Sequence, residues 1–363
     1  MSAPKIQTTS PPRSEKALSG IRLFVSNSEV NSVSIADLKR MEVLQTIPVG
    51  QSPADIVASA DGRYVFVALR KDDAVCVIEA AEARVVERLA VQKRPVHIYL
   101  HPEKNTIWVG NDLSGSVSVL DVRNLRVRAH IPTGNGHRKI AFTKDGSLAC
   151  VTNIADGTVS IVDCRSFQVL DTVPSGGRGP HGIDHSVCSG RVYVCNNKDN
   201  IVGVIDPVAR KWIKSIPAGK NSNTIHFTHD GRFGYVANQG EASLTVIDAI
   251  DDVASATVQV DEGPDHVIFS PDDKYAYVAN IRSDKLSVVE VGSHRLVANV
   301  PVGGSKVGLM HRHISISLGG DYVSVPNPEH GTVSVISTKD LKIAGTLMAG
   351  KGCNAMCMVG ERN

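Results

Sequence analysis

The segment Tyr235-Val236-Ala237-Asn238 returns 42 residues later as Tyr277-Val278-Ala279-Asn280, and Val151-Thr152-Asn153 has the same pattern earlier in the chain. The same parts surround each copy in the same order: a Pro/Gly entry, a short apolar run, an Asp-Gly-type turn, the Tyr-Val-x-Asn run, a polar turn and a Val-Ser-Val-Ile-Asp run. Short apolar runs separated by Gly, Asp and Pro are typical of strands. A fixed period of this length indicates a repeat architecture. The sequence therefore predicts four short strands in each repeat.

The number of repeats can be counted from two markers in the sequence, and a third marker accompanies several of them. Entry segments of an innermost strand begin near Pro53, Pro95, His137, Pro180, Ser222, Pro264, His311 and Cys353. The residue that closes the second strand recurs as Asn27, Asn111, Asn153, Asn196, Asn238, Asn280 and Asn327, with Leu69 in the same position of one unit. Both counts give eight. A Pro-x-Gly marker ends several fourth strands, at Pro48, Pro132, Pro217 and Pro301, where an outer strand tolerates the missing N–H.

The two ends of the chain complement each other. The first unit, Ile21 to Gly50, lacks an innermost strand, and the tail from Cys353 to Val359 is an innermost strand with nothing after it. We expect them to complete one blade and to remove an open sheet edge. The predicted fold is an all-β, eight-bladed β-propeller with four-stranded antiparallel blades, the first closed by the C-terminal strand. A seven-bladed propeller is the alternative. Residues 1–18 are predicted to be a disordered tail, and 19–363 a single propeller domain.

Composition limits the partners. The net charge of +2 gives no basic track for nucleic acid, and no apolar run of about 18 residues predicts a membrane span. Residues 1–18 lack the apolar region of a signal peptide, which predicts a cytoplasmic protein, or a periplasmic one if a leader had been removed. No Walker loop or GxGxxG after a strand is present, so no nucleotide cofactor is expected.

The seven cysteines form no regular disulfide framework. Cys353 and Cys357 are four residues apart on one predicted strand, so we expect both on the same side, where they would permit a metal pair. The alternative is that they are buried as small apolar residues.

The stretch Gly146 to Asp163 resembles the consensus of the YVTN-type propeller repeat, and the resemblance extends from Ile21 to Val359. An eight-bladed version is similar to the d1-haem domain of cytochrome cd1 nitrite reductases, although no CxxCH motif for a c-type haem is present. The entry Pro95-Val96-His97 resembles those of lactonase-type propellers. Because such folds host many functions, the resemblance implies an architecture rather than a chemistry.

The aligned entries contain an unusual group of histidines. His97, His266 and His313 share one position, His181 lies one residue earlier, and His137 and His311 lie two residues earlier. Asp55, Asn223, Asp265 and Asn354 lie beside them and are the predicted substrate-binding residues. If the strands are in register, these side chains gather at one mouth of the central channel. His226 lies further inside a strand, where we expect a core histidine with its hydrogen bonds satisfied.

Imidazole is a common ligand of transition metals, and three histidines with a water leave an open coordination position. His97, His266, His313 and His311 are therefore the predicted ligands of Cu, Fe or Zn. The alternative is that these histidines cap strands and bind no metal. Positive charge from Arg138, Lys139 and Arg312 would attract a small anionic ligand such as a carboxylate or phosphate. Alternatively, the two arginines pair with Asp55 and Asp265.

Three functional classes follow. The first is a metal-dependent oxidoreductase in which His181, His137, Arg138 and Arg312 are the predicted catalytic residues. The second is a metal-free lactonase-like hydrolase or isomerase, with a channel histidine as general base and an arginine that stabilises negative charge. The third is a binding scaffold without catalysis.

Overall fold

A computed structural model describes residues 20–136, 139–303 and 313–360. These ranges contain strands and turns, and no helix in them is long and apolar enough to cross a membrane. The predicted tail and the predicted site residues His137, Arg138, His311 and Arg312 lie outside the described residues.

The described strands form eight antiparallel sheets of four strands each, which we call blades 1 to 8. The strands of the first four blades are Arg22–Asn27 (β1), Ser32–Asp37 (β2) and Glu42–Pro48 (β3) in blade 1; Pro53–Ala58 (β4), Tyr64–Leu69 (β5), Ala74–Glu79 (β6) and Arg84–Ala90 (β7) in blade 2; Pro95–Leu100 (β8), Thr106–Asn111 (β9), Ser116–Asp121 (β10) and Arg126–Pro132 (β11) in blade 3; Ile140–Phe142 (β12), Leu148–Asn153 (β13), Thr158–Asp163 (β14) and Gln168–Pro174 (β15) in blade 4.

The remaining strands are Pro180–His185 (β16), Val192–Asn196 (β17), Ile201–Asp206 (β18) and Lys211–Pro217 (β19) in blade 5; Ser222–Phe227 (β20), Phe233–Asn238 (β21), Ser243–Asp248 (β22) and Val253–Gln259 (β23) in blade 6; Pro264–Phe269 (β24), Tyr275–Asn280 (β25), Lys285–Glu290 (β26) and Arg295–Pro301 (β27) in blade 7; Ser315–Ile316 (β28), Tyr322–Asn327 (β29), Thr332–Ser337 (β30) and Lys342–Met348 (β31) in blade 8; and Cys353–Val359 (β32), which belongs to blade 1.

The C-terminal strand closes the ring as predicted. β32 pairs antiparallel with β1, with Arg22 opposite Val359 and Asn27 opposite Cys353. Blade 1 is thus built from both ends of the propeller, and its sheet order is β3-β2-β1-β32. The eight-bladed prediction is confirmed, and the seven-bladed alternative is wrong for this chain.

Blades are held face to face by apolar side chains. Phe24 of blade 1, for example, packs in one buried cluster with Val65 and Ile78 of blade 2. Removing a side chain of this size from water contributes about 1.5–3 kcal/mol. The short β-branched residues fit this role because they pack well on a pleated surface.

In most blades the Asn that ends the second strand binds the third strand of its own blade, whereas Asn196 of blade 5 donates to the main-chain oxygens of Ser175 and Val194. Asn238 Nδ2 donates to Ser243 Oγ and Thr245 Oγ1, both at 3.0 Å. Asn27 Nδ2 donates in the same way to Ser32 Oγ at 3.1 Å and Ser34 Oγ at 2.9 Å. Both amides are fully buried, so these bonds replace the water that the amides lose.

Blade 2 replaces this polar network with an apolar one. Its closing residue is Leu69, and the positions that carry Ser in blade 1 carry Ala74 and Cys76. Leu69 and Cys76 belong to the cluster between blades 1 and 2. Blade 2 therefore differs from blade 1 at all three positions of the network, so that it has no amide at this position that would need a hydroxyl partner.

The expected shared side for Cys353 and Cys357 is wrong. Cys353 packs in the cluster with Leu23 and Val333, whereas Cys357 packs in the cluster with Phe24 and Ile56. The reason is an irregularity in the pairing with β1, where Ser26 faces Ala355 and Asn27 faces Cys353. A bulge inserts one residue and reverses the alternation of side chains.

Candidate functional site

The inner strands β4, β8, β16, β20 and β24 share an irregularity at their first residues. In each, the pairing with the neighbouring strand shifts between the entry residue and a residue two or three positions later. A bulge bends a strand and redirects its side chains. The shifted segments of β4 and β8 include Asp55 and His97, which line the cavities of the channel.

Two adjoining cavities occupy this part of the channel. The first, which we call the mouth chamber, has a volume of about 240 Å³, and its charged or polar lining includes Arg70, Arg94, Asp112 and Asn354. The second, the inner chamber, has a volume of about 140 Å³, and its lining includes Tyr99, Lys139, Thr224, His226 and His266. Asp55, His97 and His313 line both chambers.

Asp55 lies between two imidazoles at the boundary of the chambers. Its Oδ2 is 3.6 Å from His97 Nδ1, and its Oδ1 is 3.7 Å from His313 Nδ1. The main-chain N–H groups of Ile56 and Ile98 donate to the same carboxylate at 3.0 and 3.3 Å. Burial opposes the ionisation of Asp55, but His313 and His97 lower its pKa below the ordinary range. The group is therefore a carboxylate anion that faces two ring nitrogens.

Further imidazoles continue from this group into the inner chamber. The rings of His97 and His313 are parallel within 4°, with centroids 6.1 Å apart, and those of His313 and His266 within 8°, with centroids 5.1 Å apart. The His226 ring meets His266 edge-on at 4.9 Å. His226 was expected to be a satisfied core residue. Instead, its Nε2 is buried with no hydrogen-bond partner in the part of the chain that the structure describes.

His226 and His266 are held neutral. Burial, reinforced by the charge of Lys139, lowers the pKa of His226 to about 3. Burial lowers the pKa of His266 well below its ordinary value, with His226 and His313 adding to the effect. His266 Nδ1 likewise has no partner among the described residues. A neutral imidazole with a bare nitrogen can accept a proton or bind a ligand.

The described residues do not form the predicted metal centre. No group of three or more His, Cys, Asp or Glu side chains within residues 20–136, 139–303 and 313–360 is arranged to hold a metal ion. The Nδ1 atoms of His97 and His313 face the carboxylate of Asp55, at 3.6 and 3.7 Å. In a metal site, each ligand nitrogen would instead face the ion at about 2.0–2.1 Å. His266, the third predicted ligand, adjoins His313 without completing such a group.

Positive charge reaches the mouth chamber from residues that the sequence did not single out. Arg70 follows the last residue of β5, and Arg94 precedes β8. Burial, together with the charge of Arg94, lowers the pKa of Arg70. The Nε atom of Arg70 is buried without a hydrogen-bond partner in the described residues. The sequence feature that could have identified Arg70 is its position immediately after the residue that closes the second strand.

Several predicted site residues lie outside both chambers. His181 Nδ1 is 3.1 Å from the main-chain oxygen of Asn223 in the next blade. Asn223 Nδ2 and Gln239 Nε2 donate to Asp265 Oδ1 at 3.4 and 3.1 Å. These groups connect neighbouring blades. Asn354, in contrast, lines the mouth chamber, where its Oδ1 accepts a hydrogen bond from Ser26 Oγ at 2.9 Å.

Two family models match parts of the chain. Residues 122–297 match the family described as lactonase, 7-bladed beta-propeller, and residues 3–103 match the YNCE-like beta-propeller family. Each match covers less than half of the chain, and the eight blades observed here exceed the seven in the first description. Among curated protein sequences, no match is found.

Solved structures share the fold at low sequence identity. Dihydro-heme d1 dehydrogenase NirN, solved in complex with DHE, is 17% identical with a TM-score of 0.75, over 97% of this chain and 78% of that one. AztD from Citrobacter koseri is 16% identical with a TM-score of 0.74, over 95% and 100%. Hydrazine synthase from Kuenenia stuttgartiensis is 20% identical with a TM-score of 0.58, over 68% and 77%. The chain is therefore a β-propeller similar to the lactonase-type and d1-type propellers.

Proposed function

We propose that the central channel binds a small organic carboxylate and that His97 and His313, oriented by Asp55, transfer protons on it, in a metal-free hydrolase or isomerase reaction. One observation carries this proposal: one partly buried carboxylate faces two imidazoles at the boundary of two chambers. The match of residues 122–297 to a family described as lactonase, a range without Asp55, His97 or His313, supports the hydrolase class rather than these residue roles.

The mouth chamber supplies the anion-binding groups. A guanidinium offers parallel N–H donors that match the two oxygens of a carboxylate. Arg70 has a buried donor without a partner among the described residues, and Arg94 lines the same cavity. A hydrogen bond to a charged group contributes about 1.5–3 kcal/mol. Arg70 is thus the residue proposed to hold the substrate carboxylate.

Asp55 determines which imidazole nitrogen carries the proton. A carboxylate beside Nδ1 favours the tautomer with hydrogen on Nδ1, which leaves Nε2 as the base. The separations of 3.6 and 3.7 Å are longer than a direct hydrogen bond, and such contacts often tighten when substrate binds. In this proposal one imidazole removes a proton and the other, on the opposite side of Asp55, returns it.

The metal-dependent oxidoreductase predicted from the sequence ranks second. It would need metal ligands beyond the groups that the described residues arrange. The observation in its favour is the pair of bare ring nitrogens on His226 and His266. Elemental analysis of protein purified without an affinity tag tests it: a stoichiometric transition metal would favour the oxidoreductase over the metal-free reaction.

The proposed function is tested with matched histidine and aspartate variants. For Asp55→Asn and His97→Gln we expect kcat/KM on small carboxylate-bearing lactones to fall by about 10²–10⁴, the usual contribution of general acid–base catalysis. Arg70→Gln should instead raise KM about tenfold or more, because it removes a charged hydrogen bond. The control is His229→Gln, since His229 forms an exposed pair with Asp273, with 2.6 Å between Nδ1 and Oδ1, outside the channel.

Isothermal titration with the same compounds measures binding separately from turnover. Carboxylate binding that weakens in Arg70→Gln but not in His229→Gln supports the assignment of the mouth chamber. Equal affinities in all variants, or an unchanged rate in Asp55→Asn, would overturn it.

A further inference from the structure

We propose that the amine of Lys139 forms an imine with the carbonyl group of a small 2-oxo acid bound in the channel. The inference rests on the proposed function, because the ligand is again a small organic carboxylate. It now also carries a carbonyl group on the carbon next to the carboxylate. It assigns a role to a lysine that the acid–base group of His97, Asp55 and His313 does not use.

Lys139 is fixed at the wall of the inner chamber. Its main-chain N–H donates to Thr152 Oγ1 and its carbonyl oxygen accepts from the Thr152 N–H, each at 3.0 Å. These bonds to β13 anchor the residue immediately before β12. The side chain lines the chamber together with Tyr99, His226 and His266.

The amine is not used to balance a carboxylate. Among the described residues, Lys139 Nζ forms no ion pair within 4.0 Å and no side-chain hydrogen bond. Asp265 and Asp55 are near enough to favour its charge, but burial outweighs them and lowers the pKa of Lys139. A structural lysine in a core is normally paired. An unpaired amine in a chamber is instead suited to attack an electrophile.

The inner chamber supplies proton acceptors for this attack. Among the residues that the structure describes, the buried ring nitrogens without hydrogen-bond partners are His226 Nε2 and His266 Nδ1, and both residues line the chamber with Lys139. The neutral amine adds to the carbonyl carbon, and a proton passes from nitrogen to the former carbonyl oxygen through an imidazole. Loss of one water from this carbinolamine gives the C=N bond. No oxidant or reductant is required.

The arrangement of the chambers suits a 2-oxo acid. Asp55, His97 and His313 line both cavities, so a ligand whose carboxylate binds Arg70 in the mouth chamber extends past them towards Lys139. The small inner volume of about 140 Å³ favours a short carbon chain. An imine there withdraws electrons from the adjacent carbon and makes its proton easier for a channel imidazole to remove.

The experiment is reductive trapping of the full chain with pyruvate and cyanoborohydride, read by peptide mass spectrometry. We expect the reduced adduct on Lys139 to form at least about tenfold faster than on Lys144, an exposed lysine of the same blade. Lys139→Arg keeps the positive charge and should lose the adduct, whereas Lys144→Arg should not change it. Labelling of Lys139 should also begin at a lower pH than is usual for a lysine amine, since burial lowers its pKa.

Titration with lactate, which has no carbonyl group, separates this inference from the proposed function. Lactate that binds in an Arg70-dependent manner, with no adduct on Lys139, would overturn the imine and leave the carboxylate site standing. Failure of both lactate binding and trapping would overturn both. Equal trapping rates at Lys139 and Lys144 would show unselective surface chemistry and likewise reject the imine.

Discussion

The residue that ends the second strand and the side chains that line the channel both occur once in each blade, but only the first repeats, as an Asn in every blade except blade 2. Asn27 and Asn238 make the same two bonds to the third strand in blades 1 and 6. The channel position two residues after each entry instead carries different groups, among them Asp55, His97 and Lys139. A position with the same role in most blades keeps one residue type in them, and Leu69 of blade 2 is the exception. The positions that differ are those where the blades meet around a shared cavity.

We call the residues that end the second and fourth strands the frame. Substitutions in the frame and substitutions in the channel should therefore have different effects. A frame residue acts within its own blade, so its loss should reduce stability without changing the chemistry of the channel. A channel residue contributes to a joint site, so its loss should change binding or rate. Leu69, which breaks the amide pattern, tests the first half of this contrast most strongly.

The largest effect is expected for Leu69→Asn. The change removes a fully buried apolar side chain and places an amide beside Ala74 and Cys76, which offer it no hydroxyl. We expect a loss of about 3 kcal/mol in the free energy of unfolding, measured by urea denaturation, because an unpaired buried amide adds to the lost packing.

The triple variant Leu69→Asn, Ala74→Ser, Cys76→Ser supplies the missing partners, as in blade 1. We expect it to recover about 1–2 kcal/mol relative to the sum of the separate changes. Strict additivity of the three changes would contradict a network that changes as a unit.

A smaller effect is expected for Asn238→Ala. It removes the bonds to Ser243 and Thr245 and leaves the N–H of Gly219, which donates to Asn238 Oδ1 at 3.1 Å, without that acceptor. We expect a loss of about 2 kcal/mol in the free energy of unfolding and unchanged affinity for channel carboxylates. Gln45→Ala, which removes an exposed amide from β3, is the control and should cost little. Weaker ligand binding in Asn238→Ala would contradict the separation of frame and channel.

Much of the frame could be predicted because its signals are local. The Asn and Pro markers end second and fourth strands as expected: Asn238 forms its hydrogen bonds within its own blade, and Pro217 lies in an outer strand that does not need its N–H. The side of Cys357 could not be predicted, since it depends on a bulge between β1 and β32, segments from opposite ends of the chain.

The channel was predictable only in part. His97, His266 and His313 share one register position in sequence and lie together in the structure. Arg70 was missed because it follows a second strand, so its approach to the channel depends on how neighbouring blades are arranged. The neutral state of His226 was not predicted because it results from burial in the assembled channel, to which the charges of Lys139 and His313 add.

The smallest effect tests that neutral state of His226 through pH. The pKa of about 3 in the folded protein lies below the ordinary value of about 6.5, so protonation favours the unfolded chain. Its contribution to stability is therefore present above about pH 6.5 and is lost as the pH falls towards 3. Solvent reaches part of the ring, which reduces the effect. Between about pH 7 and pH 5 we expect wild type to lose about 1 kcal/mol more than His226→Gln.

The neighbours of His226 determine how this difference is measured. His266, His313, Lys139 and Asp265 act on it electrostatically, and Asp184 Oδ2 is 4.0 Å from its Nδ1. Burial raises the pKa of Asp184 to about 6. Protonation of this carboxyl therefore stabilises the folded protein as the pH falls, which is opposite in sign to the effect of His226. Asp184 is present in both proteins, and comparing urea denaturation of wild type and His226→Gln at each pH therefore isolates the imidazole. Parallel pH profiles would mean that His226 titrates as an ordinary solvated histidine, and the inner chamber would then lack one of the neutral bases on which the Lys139 chemistry depends.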